Sequence, residues 1–127
     1  MAPKSLNGVR VLIVDDERLI RETLSELLQL DGAVVTEASD GNTAFDLIQA
    51  YDFHVVLSDI RMPECSGVDL LKRVRTEKSL KMPPILLMSA FTDISTSRAQ
   101  ELGARGMFLK DTDSKYLKEM LLQAVKP

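Results

Sequence analysis

The sequence predicts an α/β domain, a parallel sheet with helices packed on both faces. Three observations carry that expectation. Short apolar runs, several rich in β-branched residues, recur at residues 9–14, 34–38, 55–57, 85–88 and 106–109. Between them lie segments whose apolar residues repeat at helical spacing. The length, 127 residues, suits one domain with a single full core. Strands that alternate with helices in this way form parallel sheets, because each crossover helix returns the chain to the same end of the sheet.

Each element has its own justification. Residues 1–8 are expected to be a flexible lead-in. The first strand, 9–14, is almost wholly apolar or β-branched and runs into Asp15, Asp16 and Glu17. Leu19, Ile20, Thr23, Leu24, Leu27 and Leu28 then mark a helix, with Glu17 and Arg21 in the favourable i, i+4 order. Asp31 and Gly32 close it, Gly32 suiting the left-handed position after a helix end. Residues 34–38 form a weaker strand. Ser39, Asp40 and Gly41 start a helix that carries Ala44, Phe45, Leu47 and Ile48.

The third strand, with Val55, Val56 and Leu57, reads as buried on both faces and stops at Asp59. An ionised carboxylate resists burial without a partner, and Pro63 then forces the chain out of any ladder. After a loop, Val68, Leu70, Leu71 and Val74 mark a third helix ending near Lys78. Pro83 and Pro84 lead into the fourth strand, which ends at Ser89 and Ala90. Asp93 is the expected cap of a more polar helix reaching Leu102 and stopped by Gly103. The fifth strand ends at Lys110. Asp113 or Ser114 caps a last helix carrying Tyr116, Leu117, Met120, Leu121 and Val125.

Composition narrows the function. Sixteen basic and nineteen acidic residues are interspersed and the net charge is −3, so no general field for nucleic acid exists. No apolar run approaches the roughly 18 residues of a membrane span. Residues 1–7 are polar and short, unlike a signal peptide. The single cysteine, Cys65, forms no internal disulfide and fits a reducing compartment. A cytoplasmic location is therefore expected, without membrane contact or direct nucleic-acid binding by this segment.

The chemistry lies in what ends the strands. The first ends in Asp15 and Asp16, the third in Asp59, the fourth in Ser89 and the fifth in Lys110. In a parallel sheet these ends share one edge, where such sheets bind their ligands. Taken singly, each residue has an ordinary explanation. Acids favour helix N-termini, a serine bonds its own backbone, and a lysine is solvated. Together they converge. Clustered carboxylates repel one another and call for a cation. Oxygen-only donors suit Mg²⁺ with waters and a phosphate oxygen, and Lys110 adds a positive point charge.

The residues Val11-Leu12-Ile13-Val14-Asp15-Asp16-Glu17, then Val55 to Pro63 with Gly67, then Ser89-Ala90 and Phe108-Leu109-Lys110, resemble the receiver domain of two-component response regulators. The resemblance covers essentially the whole chain. It implies a flavodoxin-like, three-layer fold with strand order 2-1-3-4-5, an order that belongs to the family and not to the pattern itself. It implies that Asp59 accepts a phosphoryl group from a sensor histidine kinase or histidine phosphotransfer protein. Asp16, Asp59 and the backbone carbonyl of Arg61 would hold Mg²⁺ directly, with Asp15 acting through a water. Lys110 and Ser89 would contact phosphoryl oxygens, and Phe108 would change rotamer with Ser89. Such a protein is a phosphoacceptor switch, not an enzyme with a separate substrate. Its helix 4/strand 5/helix 5 face would control an output domain in a longer chain, a partner, or a phosphorylation-dependent homodimer. No DNA-binding or catalytic segment follows Val125, so any output is expected elsewhere.

Three other classes compete. An aspartyl phosphohydrolase commonly has an acid two residues after its nucleophile, where this chain has Arg61. A flavin or nucleotide binder needs a phosphate-cradling loop after the first strand, where Asp15-Asp16-Glu17 would repel phosphate. A degenerate receiver would not keep the full acidic set with Ser89 and Lys110. One departure from the family stands out. Asp111 follows Lys110 where a proline joined by a cis bond is usual, so a trans bond is expected here, because a non-proline cis bond costs about 2.5–4 kcal/mol.

Overall fold

The computed structural model describes residues 5–77, 82–89, 95–110 and 114–125. Strands and helices alternate as β1 (Arg10–Val14), α1 (Arg18–Leu30), β2 (Val34–Ala38), α2 (Gly41–Ala50), β3 (Val55–Asp59), α3 (Gly67–Thr76), β4 (Ile85–Ser89), α4 (Thr96–Glu101), β5 (Gly106–Leu109) and α5 (Ser114–Ala124). All strand pairs are parallel, in the order β2-β1-β3-β4-β5. This is the flavodoxin-like arrangement that the resemblance implied.

The period of two along each strand divides the core between two faces. Leu12, Val14, Val56, Ile85 and Leu87 pack toward α2, α3 and α4, against Ala44, Leu70, Val74 and Ala99. Val11, Ile13, Val55, Leu57 and Met88 point the other way, toward Leu28 of α1 and Leu117 and Leu121 of α5. The sheet's middle strands, β3 and β4, are buried along their whole length, whereas the edge strand β2 is largely open. That is why the third run read as continuous apolar sequence and the second as a weaker one.

Helix ends follow local chemistry. The Asp40 side chain accepts from the Thr43 N–H at 2.7 Å and caps α2. Gly32 has φ +92° and Gly103 φ +104°, the left-handed values that end α1 and α4. At α3 a cap went unread in the sequence: Ser66 accepts from the Asp69 N–H and the Asp69 side chain accepts from the Ser66 N–H. α4 is capped by Ser95, whose hydroxyl accepts from the Arg98 N–H, two residues later than expected. Lys78, Ala90, Asp93, Asp111 and Asp113, and with them the Lys110–Asp111 peptide, lie outside the described residues.

Two placements are set by packing. Leu6, before β1, packs fully buried into the α1/α5 side of the core. Its N–H donates to Asp31 Oδ2 at 2.7 Å, and the Gly8 N–H donates to the Gly32 carbonyl at 3.0 Å. Leu19 belongs to the apolar spacing of α1 yet is 76% exposed.

Candidate functional site

The strand registers bring the polar residues together. Val14 lies beside Ser58, Asp59 beside Met88, and Ser89 beside Leu109, so the carboxyl ends of β1, β3, β4 and β5 form one level edge. Asp15 follows β1 and is completely buried, Asp59 closes β3 at 6% exposure, and Asp16 is exposed. Carboxylate oxygens of Asp15, Asp16 and Asp59 lie within 4.8 Å of one another. Lys110, one residue past β5, places Nζ 2.9 Å from Asp15 Oδ2 and 3.4 Å from Asp59 Oδ1.

Asp15 is held from several directions. Its N–H donates to the Ala38 carbonyl at 3.1 Å, extending the β1–β2 ladder by one bond. Its Oδ1 accepts from the Glu17 N–H at 2.9 Å, a local turn that opens α1. The Lys110 ammonium reaches Oδ2 at 2.9 Å, a buried charge contact that holds this side of the carboxylate.

The electrostatics are those of an excess of negative charge. Burial first, and then the charge of Asp15, push the Asp59 carboxyl up to about 6 against the pull of Lys110. Burial alone would lower the Lys110 ammonium, but its contacts with Asp15 and Asp59 outweigh that and hold it above the ordinary lysine value. One ammonium does not neutralise three carboxylates. The oxygen-only donor set, three carboxylates against one ammonium and the raised Asp59 carboxyl fit a hard divalent cation such as Mg²⁺.

The remaining expected residues flank this pocket. Ser89 closes β4 nearly fully buried, and its carbonyl accepts from the Lys110 N–H at 2.8 Å. Phe108 pairs in register with Met88 and is buried on the α1/α5 side of the sheet. Arg61 lies exposed on the loop two residues beyond Asp59. Gly67 closes that loop, its N–H donating to the Ile60 carbonyl at 2.9 Å. Cys65 is buried beneath Gly41 and within 3.7 Å of an Arg73 nitrogen, so it packs as a small apolar group with a weak polar contact. Arg21 does not turn back to Glu17 as its spacing suggested. Its guanidinium donates to the Asp15 carbonyl at 2.8 Å and pairs with Glu37 at 3.3 Å. Glu37 sits beside Ile13 in the β1–β2 register, a neighbour that helical spacing alone does not reveal.

An acidic pocket at the carboxyl edge of a 2-1-3-4-5 sheet, faced by a lysine just past the last strand, is the arrangement expected of a receiver domain. The response regulator receiver domain family matches residues 11–122, and the chain belongs to that family. It is 38% identical over 120 residues to the nitrate/nitrite response regulator protein NarP of Escherichia coli, covering 92% of this chain and 53% of NarP. It thus spans about half the length of that relative. It is 36% identical over 116 residues to the chemotaxis protein CheY-3 of Vibrio cholerae, covering 90% of this chain and 89% of CheY-3. Among solved structures it superposes on the response regulator TrrA of Thermotoga maritima in complex with Mg(2+)-BeF. The TM-score is 0.82 at 29% identity, covering 91% of this chain and 98% of TrrA. No described helix is long and apolar enough to cross a membrane.

Proposed function

We propose that this domain is a signalling switch phosphorylated on Asp59 by a partner histidine kinase or histidine phosphotransfer protein. The observation that carries the reading is the placement of Asp59 at the end of the central strand. It stands within 4.8 Å of two further carboxylates and 3.4 Å from Lys110. In the transfer, a carboxylate oxygen of Asp59 attacks phosphorus, the new O–P bond forms, and the bond to the donor's leaving group breaks. Asp16, Asp59 and the Arg61 carbonyl would hold Mg²⁺, with Asp15 acting through water, as the family resemblance implies. The ion would supply positive charge to the transferring phosphoryl oxygens. Lys110 would exchange its contact with Asp59 for one with a phosphoryl oxygen, and the Ser89 hydroxyl would donate to another.

A phosphoryl group adds charge and acceptor oxygens, enough to bias an element with two arrangements. The surface that fits this role lies on α4, β5 and α5. There a groove of about 1030 Å³ is lined by Met107, Phe108, Tyr116 and Met120 among others. Ser89 and Phe108 would link it to the phosphorylation site. The solved complex with Mg(2+)-BeF belongs to TrrA, a response regulator of the same fold, and supports a Mg²⁺-dependent reading here. The domain would assist only its own phosphorylation and dephosphorylation, in the cytoplasm, and would act through an output domain, a partner or a second copy.

Intact-mass measurement after incubation with acetyl phosphate and Mg²⁺ tests the assignment. One added phosphate is expected, and none in Asp59→Asn. A variant that gains phosphate as readily as the wild type overturns it.

A further inference from the structure

We infer that Arg21, together with Glu37, is a positioning residue for the acidic pocket and sets its affinity for the divalent cation. The inference rests on the proposed Mg²⁺-dependent function. Arg21 is four-fifths buried at the start of α1, with 16% of its side chain exposed. It uses two edges of one planar fork. Nη1 donates to the Asp15 carbonyl at 2.8 Å, and Nε faces Glu37 Oε1 on β2 at 3.3 Å. The Asp15 carbonyl belongs to the peptide that joins Asp15 to Asp16. Pinning that oxygen fixes the peptide plane, and the plane decides where the Asp16 side chain leaves the backbone.

Asp16 needs such help. Asp15 is restrained by the Ala38 carbonyl, the Glu17 N–H and Lys110, whereas Asp16 is exposed and begins the loop into α1. Glu37 in turn fixes the rotation of the guanidinium and keeps it against the edge strand. Lysine carries the same charge but cannot span both partners with a rigid fork. Groups that orient ligands from behind in this way commonly carry 10–100-fold of metal affinity.

Charge and position predict opposite results, which makes the inference decidable. A cation near the pocket repels Mg²⁺, so its removal tightens binding if charge alone matters. If position matters, removal weakens binding. Calorimetric titration of the unphosphorylated protein with MgCl₂ reads this directly. The Kd of Arg21→Met is expected to rise about tenfold, within the range such orienting groups carry. Arg21→Lys should also be weakened, and Glu37→Gln, which keeps an oxygen for Nε, should stay near wild type. The half-saturating Mg²⁺ for phosphorylation by acetyl phosphate should rise in parallel, while the rate at saturating Mg²⁺ falls less. Circular dichroism confirms folding, and the milder Arg21→Lys decides the matter if Arg21→Met is unfolded. A Kd that is unchanged or tighter in folded variants overturns the role of Arg21 and leaves the functional reading standing. A wild-type protein with no saturable Mg²⁺ binding overturns both.

Discussion

Gly67 offers a stringent test of how the loop after β3 holds Asp59. A Cβ at this position would lie 3.1 Å from both the Asp59 carbonyl carbon and Ile60 Cα, and closer still to the Asp59 carbonyl oxygen. These are backbone atoms, and the Asp59 carbonyl already accepts the Ser58 hydroxyl at 3.0 Å, so nothing nearby is free to swing away. Overpacking a rigid site costs roughly 1–3 kcal/mol. Alanine recovers up to about 1 kcal/mol of helix propensity, because Gly67 is the first residue of α3. A net loss of about 2 kcal/mol is expected for Gly67→Ala, the upper part of the overpacking range less the propensity gain. Gly106→Ala is the control. There the added Cβ meets Leu86 Cδ2 and Met120 Cε at 3.3 Å, the ends of side chains that can shift, and the cost should stay within about 1 kcal/mol. In urea unfolding the Gly67→Ala loss reads as a midpoint about 1–2 M below wild type for a slope of about 1–2 kcal/mol per M, and Gly106→Ala should shift by half of that or less. Gly67→Ala should also slow phosphorylation by acetyl phosphate, since relieving the clash moves Asp59. If Gly67→Ala is as stable as Gly106→Ala and phosphorylates normally, the close approach of α3 to Asp59 is not a constraint.

Other outcomes follow from the same geometry. Without Mg²⁺ at neutral pH, Asp59→Asn should be more stable than wild type by at most about 3 kcal/mol, from a carboxyl raised from 3.8 to about 6; thermal unfolding in EDTA checks it, and an equal or lower Tm counts against the crowded-charge account. Asp31 is held below the ordinary carboxyl value because the Lys118 ammonium and the Leu6 N–H outweigh its burial. Its contribution, about 1 kcal/mol or less for an ion pair this exposed, is present above the unfolded value and is lost as pH falls through the folded one. The gap in stability between wild type and Asp31→Asn should therefore shrink below about pH 4, and a gap that holds constant to pH 2 would refute the pairing. Glu64 has φ +66°, so Glu64→Gly should stabilise by about 1 kcal/mol, read as a higher urea midpoint; destabilisation would mean the Glu64 side chain contributes more than its backbone costs. Phe108→Ala should leave phosphorylation largely intact and weaken phosphorylation-dependent partner binding, whereas equal loss of both would indicate a fold defect from emptying a core position.

The sequence by itself determined the alternation of strands and helices, because that depends on local periodicity. The buried middle strands announced themselves through unbroken apolar runs such as Val55-Val56-Leu57, and the Asp40 cap and the glycines at 32 and 103 through turn chemistry. The meeting of Asp15, Asp16, Asp59 and Lys110 was legible for a related reason. Each ends a strand, and a parallel sheet puts all those ends on one edge, so their convergence followed before any distance was known. The strand order was not derivable in that way and came with the resemblance to a family. Tertiary structure alone decided what depends on register and depth. It buried Asp15 completely while leaving Asp16 open, packed Leu6 into the core, and exposed Leu19. It gave Arg21 the Asp15 carbonyl and Glu37 as partners in place of the acid one turn away. It also set the backbone of Gly67 against that of Asp59. Helical spacing reports only neighbours on the same helix. A neighbour across the sheet, or one made by two backbones in contact, exists only once the layers have packed.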